Sequence, residues 1–169
     1  GVKATQRARR LEEMIQIIKG LNRGEQVSFQ GSHFEMESVV MLPKSVQDGG
    51  VPILLACHGR SQVREAQIQR AARWADGIIS ISDTPDEYCQ MVRDLRALAS
   101  DHGRDANAME ATMYLTVNLN QIAGKATTEA EKWLLGYYGA NIWGNRWGPF
   151  GDSSRVKERI AEYVAAGAE

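Results

Sequence analysis

His58, Gly59, Arg60 and Ser61 form the stretch with the most definite chemical potential in the chain. They follow a continuously apolar run, VPILLAC at 51–57, and precede SQVREAQIQRAARWA, which reads as a helix. A glycine at such a turn lets the backbone approach a ligand. A helix start presents unpaired N–H groups and the positive end of its dipole, so a phosphate suits the place. Arg60 could add a charge-assisted contact and the Ser61 hydroxyl a hydrogen bond. His58 has the chemistry of a hydrogen-bonding group or a general acid. The plainer reading makes Gly59 a strand-to-helix turn, Ser61 an N-cap and Arg60 a solvated side chain. Spacing alone leaves both readings open, because one glycine is far less than a full phosphate-binding loop.

Other candidates are weaker. Cys57 invites a nucleophile reading, but it ends an apolar run and has no identifiable partner base, which favours packing. Ser80, Ser82, Asn118 and Asn120 fall near the ends of two further apolar runs, where either pocket lining or ordinary strand-end capping accounts for them. Trp143, Trp147 and Phe150 stand in a glycine-rich stretch, YYGANIWGNRWGPFG, and could line a substrate mouth, form a subunit contact or fold back as core. Arg7, Arg9 and Arg10 could attract nucleic acid, but Glu12 and Glu13 follow at pairing distance on a helix, so a solvated face is the simpler account. No paired carboxylates, zinc spacing or Ser-His-Asp order can be assembled.

The elements that must position these residues are legible as patterns. Leu11, Met14, Ile15, Ile18 and Leu21 predict the buried stripe of an amphipathic helix over 5–21. Val27, Phe29, Phe34 and Met36 alternate on either side of Gln30-Gly31-Ser32, which is hairpin patterning. The run at 51–57 predicts a strand covered on both faces, with Pro52 tolerated near its start. Ser61 is expected to cap the helix that follows. GIISIS gives a second strand. Thr84, Pro85 and Glu87 form the capping box of a helix whose buried stripe is Tyr88, Met91, Val92, Leu95 and Leu98, stopped at Gly103. A third strand is expected over 113–120, then helices over 128–138 and 153–166. Strand alternating with helix is the pattern of a parallel α/β sheet. The chain starts on a helix without a strand before it and ends on AGAE, while a complete (β/α)₈ barrel needs about 250 residues. The expectation is therefore a fragment forming a single segment over 1–169.

Of the 169 residues, 43% are hydrophobic and 24% charged, enough to bury one core without disulfides or metals. Lys and Arg number 20 against 21 Asp and Glu, a formal net charge of -1, so no basic field favours nucleic acid or an anionic membrane. Two cysteines, Cys57 and Cys89, fit a reducing cytoplasm, and no apolar stretch approaches bilayer length.

The ordered set RARRLEEMIQIIKGL, VSFQGSHFEM, VPILLACHGRSQVREAQIQRAARWADGII, DTPDEYCQMVRDLRALASDHGRD and GPFGDSSRVKERIAEYVAAGAE resembles the luciferase-like monooxygenase family over nearly the whole chain. The resemblance implies an α/β fold: part of a (β/α)₈ TIM barrel, its C-terminal half, with a β-hairpin insertion and truncation at both ends. It implies an oxidoreductase using FMN or a deazaflavin coenzyme on a small organic substrate, with the cofactor phosphate held by His58, Gly59, Arg60 and Ser61. Many members carry two glycines where this chain has His58-Gly59, which puts the cofactor type in question. Catalytic residues do not transfer, and no metal is expected. The expected partners are the cofactor, the substrate and further copies of the chain in a homo-oligomer. The alternatives are a non-catalytic homologue serving assembly and a sugar-phosphate enzyme using the same turn.

Overall fold

The computed structural model describes residues 1–60, 62–144 and 148–169. Helix α1 (Ala4–Asn22) is followed by an antiparallel hairpin of β1 (Val27–Gln30) and β2 (Glu35–Val39). A three-stranded parallel sheet then forms from β3 (Leu54–Ala56), β4 (Gly77–Ile81) and β5 (Glu110–Tyr114), in that spatial order. Helix α2 (Arg64–Trp74) links β3 to β4, and α3 (Pro85–Asp101) links β4 to β5. Beyond β5, the two-residue strands β6 (Asn118–Leu119) and β7 (Phe150–Gly151) pair in parallel, separated in sequence by α4 (Ala123–Tyr138). Helix α5 (Ser153–Ala165) closes the described chain, with the Asp152 carboxylate accepting the Arg155 N–H at its start. Among the described residues, no helix is long and apolar enough to cross a membrane.

Register follows from side-chain alternation. Leu54 lies opposite Gly77 and Ala56 opposite Ile79; Gly77 lies opposite Glu110 and Ile81 opposite Tyr114. Ile78, Ser80 and Ala111 turn to the helix-covered side, where Ile68, Ala71, Ala72, Tyr88, Met91 and Leu95 are fully or almost fully buried. The alternate residues face the other way: Ala56 and Tyr114 are exposed, and Ile79 and Ile81 half-buried. Among the described residues the sheet is covered on one face only, which corrects the expectation of a doubly buried strand over 51–57. The ordered strand is shorter, and Val51 is exposed.

At the N-terminal edge of the sheet, one carboxylate ties three elements together. Asp76 accepts the Ile53 N–H at 2.9 Å and the Lys19 ammonium at 2.6 Å, with the Arg104 guanidinium 3.6 Å away. Gly77 is required by its neighbour: a Cβ there would lie 2.2 Å from the Glu110 carbonyl oxygen.

The α1 stripe needs correction. Ile15 is buried, but Leu11, Met14 and Ile18 are exposed, and the inward face carries Glu13, Ile17 and Gly20. The reason is electrostatic. The Glu13 carboxylate is buried because the hairpin turn supplies it with the N–H groups of Ser32 (3.0 Å), His33 (2.9 Å) and Phe34 (3.2 Å), and Arg9 adds a fourth contact at 3.2 Å. Burial alone would raise its pKa. The amides of His33 and Ser32, the Arg9 guanidinium and the Phe34 amide outweigh that and hold it at about 2. A Cβ on Gly31 would collide with this carboxylate at 2.4 Å, so glycine is needed at the turn for space.

Two further boundaries differ from the patterns. The strand expected over 113–120 is two strands, β5 beginning earlier at Glu110 and β6 pairing with β7, which has only two residues and no readable alternation. Helix α4 begins at Ala123, five residues before the expected start, because Gly124 and Lys125 in its first turn conceal the periodicity.

Candidate functional site

The turn after β3 sits beside the turn after β4, at the C-terminal end of the parallel sheet. The ladder runs as far as Cys57, whose N–H donates to the Ile79 carbonyl at 3.1 Å. His58 then donates its N–H to the Gln67 side-chain oxygen at 3.4 Å, anchoring the turn to α2. The Gly59 N–H donates to Asp83 Oδ2 at 2.9 Å. A Cβ on Gly59 would sit 3.0 Å from the Glu87 Cβ and 3.3 Å from its carbonyl oxygen, so this glycine permits close approach to the start of α3.

Arg60 lies across the two turns. Its Nη2 donates to the Ser82 carbonyl at 2.7 Å and contacts the Ser82 hydroxyl at 3.2 Å. Its Nε lies 3.8 Å from Asp83 Oδ1 and 3.7 Å from Glu87 Oε2. Ser82 has φ +63°, a left-handed conformation that turns the chain from β4 toward the α3 cap. Asp83 is almost wholly buried. Ser80 Oγ donates to its Oδ2, the Tyr163 hydroxyl donates to its main-chain oxygen at 2.7 Å, and its Oδ1 has no hydrogen-bond partner among the described residues. Directly after it stands the capping box: Glu87 N–H donates to Thr84 Oγ1 at 3.2 Å, and Thr84 N–H donates to Glu87 Oε2 at 2.8 Å.

Ser61 lies outside the described residues, but the helix start is defined without it. Helix α2 begins at Arg64 with Val63 at the N-cap position and no side-chain cap hydrogen bond. The serine cap expected there falls outside the described residues, and Gln62 and Val63 precede the helix start.

Two adjoining hollows open at this end. One, of about 480 Å³, is lined by His58, Arg60, Ile81, Ser82, Asp83, Tyr138 and Ile142. The other, of about 330 Å³, is lined by Ala56, Ile79, Ile81 and Tyr114 of the sheet, by Tyr138 of α4, and by His58 and Ser80. His58, Ile81 and Tyr138 belong to both. An apolar floor with a few convergent polar groups at its rim is the usual composition of a small-molecule site.

Sequence reasoning missed Asp83, Tyr114, Tyr138 and Ile142. Asp83 had one usable signal, a carboxylate immediately before the Thr84 cap. Tyr138 had none, because it reaches the hollow only through the placement of α4, which ends where Gly139 adopts φ +72°.

The remaining candidates separate. Cys57 is fully buried, and burial pushes its thiol up to about 11, as packing rather than nucleophilic duty requires. Ser80 and Ser82 join the Asp83–Arg60 cluster. Asn118 and Asn120 instead donate to Glu129, and those side-chain hydrogen bonds lower its pKa beside a separate hollow lined in part by Thr116 and Trp133. Trp143 and Phe150 fold back as core, and Trp147 lies outside the described residues. Arg9 pairs with Glu13, Arg10 stacks over the Phe34 ring at 4.8 Å, and Glu12 pairs with Arg70 of α2. Among the described residues, no group of three or more His, Cys, Asp or Glu side chains could hold a metal ion.

Parallel strands linked by helices on one face, with ligand-sized hollows at their C-terminal ends, define an α/β protein. The whole chain, residues 1–169, matches the model of the luciferase-like monooxygenase family, and it belongs to that family. An uncharacterised protein of Mycobacterium tuberculosis is 25% identical over 170 residues, covering 98% of this chain and 55% of its own length. An F420-dependent secondary alcohol dehydrogenase, solved with an F420–acetone adduct, superposes with a TM-score of 0.78 at 15% identity over 99% of this chain and 56% of that one. A riboflavin lyase, solved with modified FMN and riboflavin, gives 0.71 at 14% identity over 98% of this chain and 52% of that one. The chain thus spans about half the length of these proteins, and the structural likeness establishes the fold.

Proposed function

We propose that the protein is a flavin- or deazaflavin-dependent oxidoreductase acting on a small organic substrate. The cofactor tail is held at the turn of His58, Gly59, Arg60 and Ser61. The observation that carries this reading is the meeting of that turn with an uncovered apolar sheet face in a member of the luciferase-like family. Solved proteins of the same fold hold an F420 adduct or modified FMN, a deazaflavin and a flavin.

The residues fit such a group in a particular way. The Gly59 amide is already engaged by Asp83, so an anion at this turn relies on the Arg60 side chain, which is 51% exposed, more than on the Gly59 backbone. The bound cofactor supplies the redox chemistry. Arg60 would hold its tail, and Ala56, Ile79, Ile81 and Tyr114 would offer the ring an apolar surface that excludes water. On this reading, residues 1–169 are one segment of a (β/α)₈ barrel in which the hairpin is an insertion. The whole acts in the cytoplasm as a homo-oligomer.

Residues 1–169 alone are expected to be inactive, so the test is titration of the purified full-length protein that contains them with FMN and with the deazaflavin coenzyme, followed by assay for oxidation of the reduced cofactor. Binding with turnover supports the proposal. Binding without turnover favours a non-catalytic homologue, and an intact fold that binds neither cofactor rejects the reading.

A further inference from the structure

We infer that Glu87, acting with Asp83, sets the charge of the phosphate group that the β3 turn accepts, selecting a singly charged phosphodiester over a terminal phosphomonoester. This rests on the reading of that turn as the cofactor-tail site. Among the described residues, Arg60 is the one permanent cation lining the larger hollow. Two carboxylates face its Nε, Asp83 at 3.8 Å and Glu87 at 3.7 Å, so the cluster is net negative before any ligand arrives. Asp83 cannot turn away, because its Oδ2 holds the Gly59 amide and the Ser80 hydroxyl. Its other oxygen is buried without a hydrogen bond among the described residues, which leaves Arg60 to offset it. Glu87 is held as firmly, since the oxygen nearest Arg60 is the one that caps the Thr84 N–H.

A phosphomonoester carries about -1.5 to -2 charges at neutral pH, and a diester carries one. The repulsion from two fixed carboxylates and the attraction of the single guanidinium, which Ser82 already shares, both scale with that charge, and the excess carboxylate makes the balance worse for the more highly charged group. The diester therefore loses less on entering. The acidic residues stand there for a structural reason, as the capping box and acidic first turn of α3, and the selectivity follows from that placement.

The experiment measures affinity for two probes with the same ring. For whichever ring the protein binds, they are its 5′-phosphate and the monomethyl ester of that phosphate. Wild type should bind the ester more tightly. In Glu87→Gln the amide oxygen retains the cap and one negative charge is removed, so the monoester should gain roughly fivefold more than the ester, with the difference shrinking at high salt. Equal wild-type affinities, or an equal shift of both probes in the variant, would overturn the inference while leaving the proposed function standing. Failure of both rings to bind removes the proposed function and this inference together. The wild-type comparison needs no variant and so does not depend on how Glu87→Gln folds.

Discussion

The Gly59 amide donates to the buried Asp83 carboxylate at 2.9 Å, which locks the turn after β3 to the turn after β4 and leaves Arg60 as the group with reach into the hollow. Removing that acceptor should be felt twice. Asp83→Ala leaves the Gly59 N–H and the Ser80 hydroxyl without their partner, a loss of about 1–3 kcal/mol for each buried group left unsatisfied. Thermal unfolding should show the lowered stability and cofactor titration a weaker tail site. An unchanged Tm would show that the bond is not a stabilising one.

Glu13 makes the hairpin sensitive to acid. Its folded pKa of about 2 lies below the ordinary value of 4.5, so its contribution is fully present above pH 4.5 and is lost as pH falls through about 2. Hydrogen exchange at the Ser32, His33 and Phe34 amides should be slow at pH 6, and faster in Glu13→Gln at the same pH. Equal protection in the two proteins would contradict the cradle.

Gly77 tests strand packing. Its Cβ position lies 2.2 Å from the Glu110 backbone oxygen, which has no flexible side chain to move aside. Gly77→Ala should therefore destabilise by about 1–3 kcal/mol or more through overpacking, measured by denaturant unfolding. Gly103→Asn serves as the comparison: Gly103 has φ +70° with open space around it, and asparagine tolerates that conformation, so a small change is expected.

Cys57 and Cys89 should differ sharply in alkylation. Cys57 is buried with its thiol raised to about 11, whereas Cys89 is partly exposed on α3. Iodoacetamide at pH 8 should modify Cys89 first, with Cys57 reacting only on unfolding. Early labelling of Cys57, located by peptide mass, would contradict the packing described.

Most of the fold was legible because its signals are local. Thr84, Pro85 and Glu87 specify a helix start within four residues, and the helix they specify forms with Tyr88, Met91, Val92 and Leu95 buried. The α1 stripe misled because a carboxylate occupies the inward face, and only the distant turn at 32–34 makes that burial tolerable. At the site, His58 and Arg60 were readable from their place after an apolar strand. Asp83 and Tyr138 join them through strand register and helix placement, which are relations between segments far apart in sequence.

The central claim is that Arg60 holds an anionic cofactor tail at the mouth of the sheet. Its most direct measurement is the dissociation constant of the preferred cofactor for wild type and for Arg60→Gln, alongside the same ring without its phosphate. The variant should bind the phosphorylated cofactor roughly tenfold more weakly, consistent with a lost charge-assisted contact, and the phosphate-free ring as well as wild type does. Equal affinity of wild type and variant for the phosphorylated form would contradict the claim.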